Sequence, residues 1–300
     1  ANGTDVIQIT NPNSGGISHN KFIDFSVGAG NGVIFNNNAT KEPVVTKIGG
    51  IVVHNPNLNK AANAILTEVT GNKSSSINGT IEIAGQRADF ILANENGIAV
   101  NGGGFINTSG VTLTTGKPTI SGSDINLNVQ KGNVLIDGMG VGTAGNYFNI
   151  VAKTIELKGQ VAPFDGQMDA DITLIAGQND VTLKNSNKTV LNKVIGNEKD
   201  GTKYGIYANK LGSMYGKNIK LISTTEGLGV RHEGLIRSSG DIEILSNGDI
   251  TVGGVISEKD IKLKGEGNLT TLNGSYKNSG IEYNYSIFSG DGVELDFKGD

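Results

Sequence analysis

The chain has 300 residues, among them 45 Gly and 35 Asn, with no Cys, no Trp, 5 Pro and a formal net charge of −4. Lack of Cys excludes disulfides, thiolate metal sites and a Cys nucleophile; scarce Pro and the lack of a Gly at every third position exclude collagen. The low net charge and recurrent β-branched aliphatics argue against disorder, and the acidic balance argues against nucleic acid as a bulk electrostatic partner. Gly and Asn disfavour helix interiors and suit tight turns that need φ > 0, so the expectation is an all-β chain. No apolar run approaches the roughly 18 residues of a membrane-spanning helix.

In chain order, Ala1 to Asp5 is polar, and a start at Ala is what removal of a secretory signal would leave. Residues 1 to about 118 are irregular and carry three motif segments. The first runs from Gly16 through Ser18, His19, Asn20, Phe22 and Phe25 to Val27, followed by Gly32 to Asn37. The second is Asn55-Pro56-Asn57-Leu58, followed by Ala64 to Gly71. The third spans Ile81 to Ile98, includes Asn94-Glu95-Asn96-Gly97, and is followed by Gly102 to Asn107. Both tetrapeptides are β-turn sequences: Asn at the first position bonds back to the backbone, Pro presets φ, and Asn or Gly tolerates φ > 0. Glu95 lacks the preset φ of a proline but can still adopt the right-handed conformation.

From about residue 119 the texture becomes repetitive. Pairs of alternate apolar residues recur at Ile125/Leu127, Val134/Ile136, Ile155/Leu157, Ile172/Leu174, Val181/Leu183, Ile219/Leu221, Ile242/Ile244, Ile250/Val252 and Ile261/Leu263. Each is a period-two strand signal, and Gly, Asn, Asp and Ser separate them. Ser238, Asp241, Ile242, Gly248 and Ile250 recur as Ser257, Asp260, Ile261, Gly267 and Leu269, a spacing of 19. A repeat near 20 residues with several short strands per unit indicates a solenoid. The expectation is a right-handed parallel β-helix with an irregular N-terminal β cap and extra-helical β elements. Some 13 to 15 coils would make a rod of roughly 60 to 70 Å. The pattern stops at Gly299-Asp300 in mid-repeat, which reads as a fragment of a longer repetitive protein.

Enzymatic readings find little support. Gly140-Val141-Gly142-Thr143-Ala144-Gly145 matches a dinucleotide fingerprint, but Asn146 to Val151 after it is β-rich, where that fingerprint requires a helix. The three histidines, His19, His54 and His232, show no metal-ligand spacing. Ser18 and His19 are neighbours, so on a strand they face opposite sides; His19 is expected to fix the cap by hydrogen bonding, and His54 to face solvent or bond locally. A β-helix can also carry polysaccharide lyases and hydrolases, which need clustered carboxylates or Ca²⁺ ligands. Asp165, Asp169 and Asp171 are the best such cluster, though the segment reads more simply as a polar loop leaving the helix. Asn192 to Lys203, of mixed charge, reads as a solvated loop, and the nine Asn-x-Ser/Thr sequons are mostly a consequence of Asn content.

Taken together, the three N-terminal segments closely resemble the secretion domain of two-partner secretion (TPS) exoproteins. That family includes filamentous haemagglutinin-type adhesins and contact-dependent growth inhibition toxins. The resemblance runs from about residue 5 to 116 and continues at Gly205 to Asn209 and Thr224 to Val230. It implies a secretion-targeting and folding-nucleation domain at 1–237, with cap and motifs at 1–118 and coils at 119–237. The first haemagglutinin-type repeats would follow at 238–300. It implies no catalytic role for this segment, no cofactor or metal, a monomer, and a secreted or cell-surface destination reached through the periplasm. The implied partner is an outer-membrane transporter of the Omp85 type that recognises the chain through periplasmic POTRA modules; target-cell receptors would engage downstream regions. The family's signature tetrapeptides are Asn-Pro-Asn-Leu, intact at 55–58, and Asn-Pro-Asn-Gly, which carries Glu95 at the proline position here. Asn55, Pro56, Asn57, Leu58, Asn94, Glu95, Asn96, Gly97 and Ile98 are thus candidates for transporter recognition or for holding turns. Ser18, His19, Asn20, Phe22 and Phe25 are candidates for the cap. Absence of Cys tilts the resemblance towards the haemagglutinin and growth-inhibition branch. An adhesive module for cells or glycans is the alternative.

Overall fold

The repeated apolar pairs stack on one another. Ile172 and Leu174 lie in register with Ile219 and Leu221, these with Ile242 and Ile244, and these with Ile261 and Leu263. All are buried in one continuous core. The computed structural model describes residues 2–272, 275–278, 280–284 and 286–299. The ladder is parallel and contains ten strands, from Ile17–Phe22 to Val293–Phe297. A twelve-stranded parallel sheet walls another side of the core, and the described residues contain no α-helix. Successive turns of the chain therefore bond side by side as a parallel β-helix, with the right-handed crossover favoured by strand twist. The 19-residue repeat sets the register directly: Ile242 pairs with Ile261, and Ile250 with Leu269.

Among the described residues ten coils replace the 13 to 15 expected, giving a ladder of about 43 Å at a strand spacing near 4.8 Å. The missing length is spent outside the helix. Lys117–Ser121, Asp124–Asn128, Asn179–Lys184 and Lys188–Val194 form a four-stranded antiparallel sheet. Val44–Thr46 pairs with Gly50–Val52, and Ser275–Asn278 with Ile281–Asn284, as hairpins. Two of the apolar pairs thus lie outside the coils: Ile125/Leu127 and Val181/Leu183 line the inner face of the antiparallel sheet. They cover outward-facing Leu66, Ile91, Val151 and Ile175 of the helix. Alternation reports a half-buried strand but is blind to whether its partner is parallel or antiparallel. For the same reason the expected loop at 192–203 begins only at 195; Asn192 to Val194 complete a strand, with Lys193 opposite Asp180.

A separate parallel sheet of Asp5–Gln8, Gly32–Asn37, Thr80–Gly85 and Gly104–Ile106 lies at the N-terminal end. Beneath it the core is filled by a file of rings. Phe22 meets Phe25 at 5.4 Å between centroids, Phe25 meets Phe35 at 5.8 Å, Phe35 meets Phe90 at 5.2 Å and Phe90 meets Phe105 at 5.9 Å. Tilted and edge contacts of this kind add about 0.5–1.5 kcal/mol each beyond area burial.

Candidate functional site: two asparagine turns and the hairpin beside them

Both signature tetrapeptides close as turns. The Leu58 N–H donates to Asn55 O at 3.1 Å, and the Gly97 N–H to Asn94 O at 3.1 Å. In each, the first Asn side chain accepts from the backbone two residues on: Asn55 Oδ1 from the Asn57 N–H and Asn94 Oδ1 from the Asn96 N–H, both at 2.9 Å. Glu95 therefore leaves the turn intact, and Gly97 takes φ 111°, where a side chain would be strained.

The first Asn of each turn also does something the turn itself does not require. Asn55 is fully buried, and its Nδ2 donates to Ile9 O at 3.0 Å and Asn36 O at 2.8 Å. One amide thus ties the segment after the first strand, the second strand of the cap sheet and the turn together. Asn94, equally buried, donates to Lys73 O and Ser75 Oγ, both at 3.0 Å, binding its coil to the preceding one. Asn96 reaches back to Gly71 O at 2.9 Å. Leu58 and Ile98 are core residues, whereas Pro56 and Asn57 are exposed and Glu95 is half-buried.

The run Asn36-Asn37-Asn38 belongs to the same network and escaped the sequence reading as a site. Asn37 donates to Ala62 O and Gln86 O and accepts from the Ala62 N–H at 2.7 Å. Three successive Asn at the end of an apolar strand was the available signal. Near the first coil, Ser18 Oγ donates to Thr10 O at 2.7 Å, and Asn20 Oδ1 accepts from the Thr10 N–H at 2.9 Å. His19 Nε2 lies 2.6 Å from Glu68 Oε2, with Lys21 Nζ 3.9 Å from the same oxygen.

Beside the Asn55 turn stands the hairpin of Val44–Thr46 and Gly50–Val52. Buried Glu82 holds its tip, accepting from the Lys47 and Ile48 N–H groups at 2.7 and 2.9 Å. Val52 packs inward on Ile34 and Ala84. Val45 and Ile51, which pair across the hairpin, point outward and are 83% and 65% exposed; Val53 is 63% exposed. Among the described residues the two strands pair with each other and with no further strand, which leaves both outer edges without a strand partner.

The enzyme-like patterns are not assembled. Val141–Thr143 leads into the strand Tyr147–Ala152, so no helix follows the glycine fingerprint. Asp165 Oδ1 accepts from the Gln167 N–H at 3.0 Å, within its own loop, whereas Asp171 Oδ1 accepts from Asn218 Nδ2 at 2.8 Å. Among the described residues no three His, Asp or Glu side chains converge as metal ligands. His54 is half-buried and its Nδ1 lacks a partner; His232 is fully buried inside the helix.

A capped parallel β-helix with two asparagine turns stapling its first coils is the architecture of a secretion domain. The chain belongs to the TPS secretion domain family, whose profile matches residues 1–280. Filamentous hemagglutinin of Bordetella pertussis is 42% identical over 268 residues, covering 89% of this chain and 7% of that protein. The tRNA nuclease CdiA of Escherichia coli strain NC101 is 36% identical over 300 residues, covering 98% of this chain and 9% of that protein. The chain thus spans less than a tenth of the length of these relatives. The crystal structure of the filamentous hemagglutinin secretion domain superposes with a TM-score of 0.87 at 37% identity, covering 98% of this chain and 95% of that one. The HMW1 secretion domain of Haemophilus influenzae, at 18% identity and a TM-score of 0.57 over 95% of this chain and 71% of that one, shares the fold.

Proposed function

We propose that this domain is the non-enzymatic export address and folding nucleus of a large exoprotein, read in the periplasm by the POTRA modules of an Omp85-type transporter. The observation that carries the reading is the TPS family match over 1–280, joined to the fold of a solved secretion domain. The division at residue 237, with haemagglutinin-type repeats beyond it, belongs to the same proposal. The whole protein is a growth-inhibition toxin or an adhesin, and any toxin activity resides outside these residues.

The two turns take different parts in this reading. Asn55 and Asn94 are sealed inside the folded domain, so the transporter meets their side chains only before folding; their role afterwards is to hold coils together. Pro56, Asn57 and the outward face of the hairpin at Val45, Ile51 and Val53 form the contact surface. An extended segment with free edges and alternate apolar side chains suits β-augmentation, in which main-chain bonds give affinity and side-chain pockets give selectivity.

Scrambling 55–58 and 94–98 in the full-length exoprotein, co-expressed with its transporter, is expected to abolish export while leaving periplasmic accumulation. Persisting export with loss only of cell binding would instead favour an adhesive module. Proline substitutions along 44–53 are expected to weaken binding to the isolated POTRA modules, and unchanged binding would remove the β-augmentation mode.

A further inference from the structure

Where the antiparallel sheet overhangs the helix, a cleft of about 610 Å³ opens, within the size range of small-ligand sites. Its floor is the outward face of the helix at Asp89, Tyr147, Asn149, Asp171 and Thr173, and its wall is the hairpin turn leading into Lys188. A glycine makes room for it. Gly110 sits in register with Asp89, and a Cβ there would come within 2.1 Å of the Tyr147 ring. The ring therefore lies across the strand, with its hydroxyl buried against the Asp89 carboxylate. From above, Asn185 and Ser186 take positive φ of 50° and 63°, and the buried Ser186 hydroxyl reaches Asp89 Oδ2 at 3.0 Å. Two non-glycine residues in that region cost stability, and they seat the wall on the floor.

The lining chemistry narrows the ligand. Arg87 and Lys188 balance Asp89 and Asp171, so the cleft exerts no net pull on an ion. Amides, hydroxyls and carboxylates offer donors and acceptors suited to alcohol groups. With Ser109 beside Gly110, the lining side chains come from four successive strands, so polar groups recur about every 4.8 Å along the cleft. Asp89 and Asp171 are three strand spacings apart, about 14 Å. Paired-carboxylate glycoside hydrolysis requires about 5–9.5 Å.

We propose that this cleft binds a short stretch of a neutral oligosaccharide and does not cleave it. A chain of hydroxyl-bearing rings meets a row of recurring polar groups at Asp89, Ser109, Asn149 and Asp171. This binding is separate from export, since neither asparagine turn lines the cleft.

The test is titration of the isotopically labelled chain, followed by amide NMR, with maltotriose and cellotriose at millimolar concentration and 3′-sialyllactose as an anionic control. Shifts are expected at Tyr147 to Asn149, Asp171 to Thr173 and Lys188 to Thr189, insensitive to salt. Affinity is expected to fall about tenfold or more in Thr189→Trp, which fills the mouth, and likewise in Asn187→Trp should the first variant fail to fold. Three results would overturn the proposal: no shift in the cleft with either neutral trisaccharide, binding unchanged in a folded Trp variant, or salt-dependent preference for sialyllactose.

Discussion

Asn55 shows how much one side chain can carry. Its amide satisfies two buried carbonyls and its oxygen one turn N–H, and one of the carbonyls, Ile9 O, takes a second bond from Asn57 Nδ2 at 3.3 Å. Asn55→Ala removes all three bonds at once, and each buried group left unpaired costs about 1–3 kcal/mol. A loss of about 3 kcal/mol or more is expected, read as a lowered urea midpoint; a change near 1 kcal/mol would mean that the turn bond alone matters. His232 gives a pH signature. Burial pushes its pKa down from 6.5 to about 4, so below pH 6.5 the unfolded chain takes up a proton that the folded core refuses. Its contribution is intact above pH 6.5 and is lost as pH falls towards 4. Asp89 runs the other way: burial raises it to about 6, against the lowering effects of Tyr147, Ser186 and Arg87. Its ionisation therefore costs stability as pH rises from 3.8 through 6, and the two slopes oppose each other in the wild type. His232→Leu isolates the histidine: its stability relative to wild type is expected to rise by about 3 kcal/mol between pH 7 and pH 4. Parallel urea titrations across that range, with a constant difference between the two proteins, would show that His232 does not govern the slope.

Single strands here are stabilised by the coils above and below. Ile242 and Ile261 stack in register, both buried, with outward Glu243 and Lys262 between coils. A carboxylate at either position would sit unpaired in a narrow apolar interior. Ile242→Asp or Ile261→Asp is expected to cost several kcal/mol or to open the coil locally. Thermal melts and amide exchange over 219–265 measure this, and melting temperatures equal to wild type would contradict the stacked interior. The cap was partly legible at this scale. Phe22 and Phe25 were readable as cap residues from their motif, but the file through Phe35, Phe90 and Phe105 joins residues up to 83 positions apart that no local pattern links. Ile125/Leu127 and Val181/Leu183 read as coils because a two-residue period is identical in parallel and antiparallel strands. Only their partners, each other and the outer helix face, separate the two cases.

Across the whole molecule, the ten-coil ladder explains why the export prediction concerns motifs buried after folding. Coils add on a formed neighbour, so the N-terminal staples at Asn55 and Asn94 act where the ladder starts. The shortfall from 13 to 15 coils arises because composition counts turn residues without assigning them to the helix or to excursions from it. The amino-acid sequence by itself determined an all-β chain, the inward-facing positions of the coils, the 19-residue register and the family, because these rest on local alternation, turn chemistry and ordered motifs. Tertiary structure alone decided that the Asn55 and Asn94 side chains are buried and tie neighbouring segments together, that a two-stranded hairpin stands beside the first turn, and that a polar cleft lies under the antiparallel sheet. Each of these depends on which distant strand covers a given face, and a side chain's burial is set by that neighbour, not by the residues next to it in the chain.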